Sequence, residues 1–238
     1  MSKKKDKDFL DKYYTGKEAE LYDYKRERKD IRRFAEVKKQ IENTRELLKN
    51  LPETNILDVA CGTGRYFKLY GKRKIYGIDI SKDMLELAKK ADKKAILKVS
   101  DADNIPYPDK TFDVVITSQF IQHAPYYLNV LKEMKRVCKK NGYIIVDFPN
   151  KYSLSYAFRK VKGFLGFAKR SYNFFTMREI EKLAEKLNLE IVEVRKTIII
   201  TPVLFPKSMV KISSKLNNFL ITLFPGLTYK NYVLLKSK

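Results

Sequence analysis

The segment from Ile56 to Tyr66 constrains the fold of this chain more than any other. It reads Ile-Leu-Asp-Val-Ala-Cys-Gly-Thr-Gly-Arg-Tyr, so a short apolar strand runs directly into two closely spaced glycines. Glycines at such a point allow a tight turn and let the backbone approach a ligand, while the N–H groups of a following helix point toward it. The segment therefore predicts a strand, a turn and a helix, with a binding site at the turn.

Short apolar runs alternate with helical patterns after this segment. Strands are expected over residues 56–60, 74–80, 95–99, 112–117, 142–148, 189–200 and 229–235. Helices are expected over residues 17–50 (as one or two helices), 81–91, 128–140 and 176–187. Ser81 and Thr176 have the spacing of helix N-caps, and Asn141-Gly142 is a common helix-stop pair. Strands that alternate with helices predict a parallel α/β sheet covered on both faces.

Two segments do not fit this alternation, residues 150–175 and residues 201–227. Each follows an expected strand, so each is expected to extend from the carboxyl-terminal edge of the sheet, where open α/β folds bind ligands. The length of 238 residues fits one domain better than two independent ones. We therefore treat the two segments as caps on a single domain.

The residues around the glycine turn indicate which ligand it takes. A dinucleotide fingerprint needs a third glycine where this chain has Phe67, and no Gly-Lys-Ser/Thr phosphate loop is present in the sequence. Asp58 stands just before the turn. A carboxylate is a poor neighbour for a pyrophosphate and a good partner for an ammonium group.

Two further carboxylates follow the next two strands. Asp79 ends the second strand, where a carboxylate can accept both hydroxyls of an unphosphorylated ribose. Asp101, in Ser100-Asp101-Ala102, can accept a hydrogen bond from an adenine amino group. With Asp58 as the ammonium partner, the three residues describe S-adenosylmethionine (SAM).

The same residues resemble a known family. The runs Leu57–Gly64, Gly77–Asp79, Asp101–Ala102 and Ile105–Asp113 look like the class I SAM-dependent methyltransferases, and within them the type 11 branch typified by ubiquinone/menaquinone-biosynthesis methyltransferases. The similarity covers residues 50–150 well and the flanks loosely. It is specific for the cofactor and nearly silent on the substrate.

The resemblance implies a Rossmann-like, seven-stranded, mostly parallel sheet whose last strand is antiparallel. It implies a helical lid over residues 1–50, a SAM-binding core over residues 51–150, and substrate-binding caps in the two remaining segments. It also implies a set of cofactor-binding residues: Asp58, Ala60, Gly62 and Gly64 at the methionine part, Asp79 at the ribose, Ile80, Asp101 and Ala102 at the adenine, Gln119 and Phe120 near the sulfonium, and Tyr14 and Tyr22 in the lid.

His123 is the candidate for catalysis. A general base is needed only if the methyl acceptor carries a proton that must leave, and His123 is the single histidine of the chain, close after the fourth expected strand. A helix-cap or loop histidine is the alternative. Two cysteines, Cys61 and Cys138, and one histidine are too few for a cysteine- or histidine-rich metal centre, so no metal is expected.

The excess of basic residues is concentrated at the C-terminal end. The formal net charge is +22, and residues 151–238 carry 17 basic side chains against five acidic ones. The stretches Phe148–Arg178 and Val194–Lys238 contain no acid, and aromatic residues are interspersed with their cations. Several readings of the caps stay open: a pocket for a small apolar or anionic acceptor, which the family branch favours, an RNA-binding surface of an RNA methyltransferase, a face resting on anionic lipid, and ordinary amphipathic helices with solvated lysines.

A SAM-binding regulator without catalytic activity is a further alternative to an enzyme. The sequence start, Met-Ser-Lys-Lys-Lys-Asp-Lys-Asp-Phe, has no apolar core of a secretory signal, and no apolar run approaches the roughly 20 residues that span a bilayer. We therefore expect a cytoplasmic location.

Overall fold

The computed structural model describes residues 31–164, 172–197 and 210–238. The helices of these ranges are α1 (Ile31–Leu48), α2 (Lys82–Ala91), α3 (Tyr127–Val137), α4 (Leu154–Phe164), α5 (Met177–Lys186) and α6 (Val210–Leu223). The strands are β1 (Asn55–Val59), β2 (Lys74–Asp79), β3 (Ile96–Val99), β4 (Phe112–Thr117), β5 (Cys138–Pro149), β6 (Leu189–Lys196) and β7 (Lys230–Ser237).

The strands form one sheet in the order β3-β2-β1-β4-β5-β7-β6. Strands β1 to β5 pair in parallel, and β7 runs antiparallel to both β5 and β6. The chain order reverses between β1 and β4, so the carboxyl ends of these strands flank the switch point at which such sheets bind ligands. The expected Rossmann-like sheet with an antiparallel last strand is confirmed.

Alternating side chains of the strands feed two apolar layers, one on each face of the sheet. In β4, Val115 packs into one layer while Val114 and Ile116 pack into the other. The first layer also receives α3 and α5, and the second receives α1 and α2. Helices therefore cover both faces, as the alternation of strands and helices predicts.

The expected N-caps of two helices are confirmed. The Ser81 hydroxyl accepts a hydrogen bond of 3.3 Å from the Met84 N–H at the start of α2. At the start of α5, Thr176 and Glu179 form a reciprocal capping box. Both helices therefore begin where the sequence alone placed them.

Two expectations about the helix after β4 are wrong. The helix expected to run from Leu128 to Lys140 ends at Val137, because Cys138 already pairs with Phe112 of β4 and the chain continues as strand β5. Asn141, whose φ is 63°, lies within β5 near an irregularity in the pairing rather than ending a helix.

The helix expected after the glycine turn is also absent. Only a single 3-10 turn, Phe67–Leu69, follows it. Nine residues separate Gly64 from the first residue of β2, and the last of them, Arg73, donates hydrogen bonds to the carbonyl oxygens of Leu48 and Leu51. The connection is too short and too firmly held for a longer helix.

The ends of the chain and the caps are described in part. Of the expected N-terminal helices, α1 from Ile31 lies within the described residues, whereas Tyr14 and Tyr22 lie outside them. The caps contain α4 and α6, with residues 165–171 and 201–209 outside the described ranges. The expected sixth strand, 189–200, is β6 up to Lys196, and residues 198–200 lie outside.

Candidate functional site

The glycine turn lies at the carboxyl end of β1 and is built from left-handed backbone. Ala60, Gly62 and Gly64 have φ angles of 59°, 54° and 71°. The Cys61 N–H donates to the Ile78 carbonyl at 3.0 Å, which holds the turn against β2. A Cβ on Gly62 would meet no atom within 4 Å, whereas one on Gly64 would lie 2.8 Å from the Phe67 ring. The first glycine thus faces open space and the second is required for packing.

The Asp79 side chain closes this turn from β2. One carboxylate oxygen accepts a hydrogen bond of 2.8 Å from the Gly62 N–H, and the other accepts one of 3.0 Å from the Ser81 N–H. Burial raises the pKa of Asp79, while these N–H groups act in the opposite direction. The carboxylate is therefore held in one orientation at the rim of a cleft.

Asp58 is buried more deeply, beneath the same turn. Its carboxylate accepts a hydrogen bond of 2.5 Å from the Tyr70 hydroxyl. Burial raises the Asp58 pKa to about 7; the Asp79 charge adds to this rise, and Tyr70 and Arg65 oppose it. A group with this pKa gains or loses its proton near neutral pH, so a cation bound beside it would favour the ionised form.

The ends of β3 and β4 complete the cleft. The Ser100 N–H donates to the Asp79 carbonyl at 2.9 Å, which brings Asp101 and Ala102 to the same edge. The Thr117 hydroxyl donates to the Val59 carbonyl at 2.7 Å and joins β4 to β1. The Ser118 hydroxyl oxygen is buried and has no hydrogen-bond partner among the described residues.

The pocket at this edge gathers ten of the residues that the sequence selected. They are Asp58, Ala60, Gly62, Asp79, Ile80, Asp101, Ala102, Gln119, Phe120 and His123. Gly64 is not in the lining and packs behind the turn, against Phe67 and Ala88. Tyr14 and Tyr22 lie outside the described residues, so their place in a lid stays a prediction.

The pocket also contains residues that sequence reasoning did not select. They are Cys61, Thr63, Arg65, Tyr66, Met84, Ser100, Ser118 and Tyr126. Most are immediate chain neighbours of selected residues and could have been found by extending each motif by one or two positions. Met84 and Tyr126 gave no such signal, since each lies at least three positions from any selected residue.

A buried ionic network supports the β4 end of the pocket. Lys230, at the start of β7, donates to Asp147 and to Gln122, both at 2.6 Å, and the side chains of Lys230 and Asp147 are fully buried. Asp147 also accepts from the backbone N–H of Gln119 at 2.7 Å and from its side-chain amide at 2.9 Å. Gln119, whose φ is 61°, is thereby fixed from both its backbone and its side chain.

The mouth of the pocket is aromatic. His123 ends the 3-10 turn Ile121–His123, and its ring meets the Tyr172 ring edge-on with centroids 4.9 Å apart. Beyond this contact lies a second, open cleft. Its lining combines aromatic and charged side chains: Tyr127, Lys151, Tyr156, Tyr172, Asn173, Phe174, Phe175, Glu179, Lys182, Leu183 and Lys186.

The first pocket has the chemistry of a nucleoside site without phosphate. Three carboxylates at the ends of β1, β2 and after β3 can accept hydrogen bonds or pair with a cation, and they would repel a pyrophosphate. Ile80, Met84 and Ala102 offer apolar surface beside them. Among the described residues no cluster of histidine, cysteine, aspartate and glutamate could hold a metal ion.

The comparisons with known proteins agree with this chemistry. Residues 57–146 match a protein family described as a methyltransferase domain. The demethylmenaquinone methyltransferase of Alkalihalophilus pseudofirmus is 35% identical over 113 residues, which cover 43% of this chain and 48% of that protein. The corresponding Bacillus cereus enzyme is 28% identical over 181 residues, covering 64% of this chain and 76% of that protein. The chain thus spans about half the length of the first of these relatives.

A solved structure shares the fold over most of the chain. Magnesium protoporphyrin IX methyltransferase from Synechocystis, crystallised with SAH, superposes with a TM-score of 0.70 at 14% identity, and the match covers 98% of this chain and all of that one. At this level of identity the likeness concerns the fold alone.

Proposed function

This chain carries a class I SAM-dependent methyltransferase domain of the type 11 branch, and from that premise we propose that it transfers a methyl group from SAM to a small apolar or anionic acceptor. The observation that carries the proposal is the Asp79 carboxylate, held by the Gly62 and Ser81 N–H groups at the rim of a pocket that also contains Asp58 and Asp101.

In the proposed complex each part of SAM meets a matching group. Asp58 pairs with the ammonium of the methionine part, Asp79 accepts from the ribose hydroxyls, and Asp101 accepts from the adenine amino group. The backbone around Ala60 and Gly62 lies against the methionine part, because neither residue presents a large side chain there. Ile80 and Ala102 pack on the adenine ring.

SAM supplies an activated methyl group, so the protein has mainly to align the acceptor behind the methyl carbon and exclude water. When bound, SAM would supply this methyl group to the acceptor and leave as a neutral thioether. Gln119 and Phe120 are the residues proposed to border this centre. Their placement depends on Asp147, which accepts two hydrogen bonds from Gln119.

The choice of acceptor rests on the second cleft. Its aromatic side chains can hold an apolar ring system, and Lys151, Lys182 and Lys186 can hold an anionic group at its edge. The two curated relatives are demethylmenaquinone methyltransferases, which supports an acceptor of small-molecule size. The His123–Tyr172 contact lies between this cleft and the SAM pocket.

Replacement of Asp79 tests the cofactor site. In calorimetry with the purified chain, we expect Asp79→Asn to weaken SAM binding at least about tenfold, because the ribose hydroxyls lose a charged acceptor. Glu86→Gln, on the exposed side of α2, removes one charge elsewhere and should leave the affinity unchanged. Circular dichroism separates a loss of binding from a loss of fold, and unchanged affinity in folded Asp79→Asn would refute the ribose assignment.

The proposed role of His123 is to take the proton that some acceptors must release. We expect His123→Asn to lower the turnover of such an acceptor by roughly a hundredfold, with SAM affinity retained. Radiolabelled SAM, incubated with fractionated cell extract, identifies the acceptor class for this assay. If SAM binds tightly and no fraction takes up label, the protein is a SAM-binding regulator and the enzymatic proposal fails.

A further inference from the structure

Most of the large apolar side chains that are exposed among the described residues lie in one region. Ten of the 13 large hydrophobic residues that are most exposed belong to two stretches, residues 152–164 and 212–227. We name them the apolar rim: Tyr152, Leu154, Phe158, Phe164, Ile212, Leu216, Phe219, Leu223, Phe224 and Leu227. Exposure reaches 91% at Phe164 and 62% at Phe219. Monomeric proteins rarely expose so many large apolar side chains together unless the surface meets a partner.

The exposed residues of α6 form a regular stripe. Ile212, Leu216, Phe219 and Leu223 recur at intervals of four, three and four residues, which places them on one side of the helix. The opposite side carries Asn217, which is buried, and α6 packs against α1. The stripe is therefore the outward side of a helix that already uses its other side for packing.

The two stretches meet at the carboxyl edge of β5. The buried Asn150, which directly follows β5, donates through its side chain to the carbonyl oxygens of Gly226 at 2.7 Å and Thr228 at 2.8 Å. Its backbone N–H donates to the Tyr229 carbonyl at 2.9 Å. The beginning of one stretch is thus tied to the end of the other, and both lie at the sheet edge that carries the pocket.

Within the two stretches themselves the charged residues have one sign. From Phe148 to Arg178 and from Val194 to Lys238 the sequence has no acidic residue. Arg159 lies over the Tyr172 ring at 4.0 Å, beside the pocket mouth, and Lys160 lies 5.9 Å from the Tyr156 ring. An apolar surface formed by two stretches whose own charged residues are all basic is complementary to a layer with an anionic surface and an apolar interior, although carboxylates lie nearby on α1 and α5, as Glu36 and Glu179.

We propose that the apolar rim docks on the surface of a bilayer that contains anionic lipid, with the rim side chains between the headgroups and the basic residues on the phosphates. Five of the ten rim residues are aliphatic and cannot stack on nucleobases, which favours lipid over RNA. Within the described residues no helix is long and apolar enough to cross a membrane. Such docking brings the second cleft, which α4 borders through Tyr156, next to apolar molecules dissolved in the bilayer.

This docking extends the proposed function but does not depend on methyl transfer, so the two proposals can fail separately. The test is flotation of the full chain with vesicles of phosphatidylcholine alone and of phosphatidylcholine mixed with phosphatidylglycerol. We expect strong binding to the mixed vesicles, partial weakening by salt, and little binding to the neutral ones.

The paired variant Phe158→Ser/Phe219→Ser should reduce binding to mixed vesicles by at least roughly tenfold, because these two exposed rings can no longer enter the lipid. Val99→Ser/Val192→Ser removes two other exposed apolar residues, 58% and 49% exposed, and should bind like the parent. Calorimetry with SAM should give the same affinity for all three proteins, which shows that the pocket is intact.

Three results would overturn the proposal. One is the absence of binding to mixed vesicles, and another is equal binding of the rim variant and the parent. The third is that single-stranded RNA, or a second copy of the chain, occupies the same surface. The parent would then bind RNA, or self-associate in sedimentation, and bind vesicles only weakly, and the rim variant would lose the RNA binding or self-association.

Discussion

At the scale of single residues, the pocket depends on carboxylates that the fold keeps from water. Asp58 is 3% exposed and accepts a hydrogen bond from the Tyr70 hydroxyl. Its pKa of about 7 results first from burial and then from the balance between Asp79, which raises it, and Tyr70 and Arg65, which lower it. The protonation of this residue therefore couples the proposed cofactor site to pH.

SAM affinity should rise with pH between about 5.5 and 7. Over this range free Asp58 is largely protonated, whereas the ammonium of SAM favours the carboxylate, so binding releases a proton and the affinity increases by up to about tenfold per pH unit. Calorimetry in two buffers of different ionisation enthalpy measures the released proton.

Two variants, Asp58→Asn and Tyr70→Phe, test this dependence of SAM affinity on pH. Asp58→Asn should flatten it, and Tyr70→Phe should move it to higher pH, because the hydrogen bond that lowers the Asp58 pKa is lost. The raised pKa of Asp58 also makes the free energy of unfolding depend on pH. The contribution of protonated Asp58 to stability is complete below the ordinary pKa of 3.8 and is lost as pH rises through about 7. A parent protein that binds SAM equally well at pH 5.5 and 7 would contradict the assignment.

At the scale of elements, the turn after β1 uses its two glycines for different purposes. Both have positive φ, but only Gly64 is enclosed, with Phe67 on one side and Ala88 on the other. Gly62 faces the pocket and donates its N–H to Asp79. Gly64 thus serves folding, and Gly62 is the glycine that we propose serves binding.

Alanine at these two positions should separate the two effects. Gly64→Ala should lower the free energy of unfolding by about 2 kcal/mol or more, since its Cβ would overlap the Phe67 ring and the positive φ is unfavourable. Gly62→Ala should cost about 1 kcal/mol from φ alone, yet weaken SAM binding more, because its methyl group would enter the pocket. Urea unfolding and calorimetry measure the two quantities, and identical profiles for both variants would exclude this division.

At the scale of the whole molecule, the network of Lys230, Asp147, Gln119 and Gln122 joins the antiparallel strand β7 to the pocket. Asp147 and Lys230 are 83 positions apart in sequence, and pairing of β5 with β7 brings them together. Because both side chains are fully buried, neither charge is stable without the other. Strand β7, through Lys230 and Asp147, therefore helps to determine the position of Gln119, just after β4.

Removing one member of this pair should lower the free energy of unfolding more than removing both charges. We expect Lys230→Met to lower the free energy of unfolding by about 3–5 kcal/mol, because Asp147 is left buried and unpaired. Adding Asp147→Asn should recover a large part of this loss, since an asparagine oxygen can still accept from the Gln119 N–H. Thermal unfolding of the single and double variants measures both effects, and a double variant no more stable than Lys230→Met would argue against the pair.

The sequence by itself determined the order of strands and helices, the caps at Ser81 and Thr176, and the carboxylates at the strand ends, because these follow from local periodicity and from rules that act over a few residues. It did not predict that the glycine turn leads into a 3-10 turn, or that Asn141 lies in a strand. Tertiary contacts override local preference at both places, through the short connection to β2 and the pairing of Cys138 with β4. The Asp147–Lys230 pair and the pKa of Asp58 were likewise decided only by the folded structure, since sequence patterns record neither desolvation nor the meeting of distant residues.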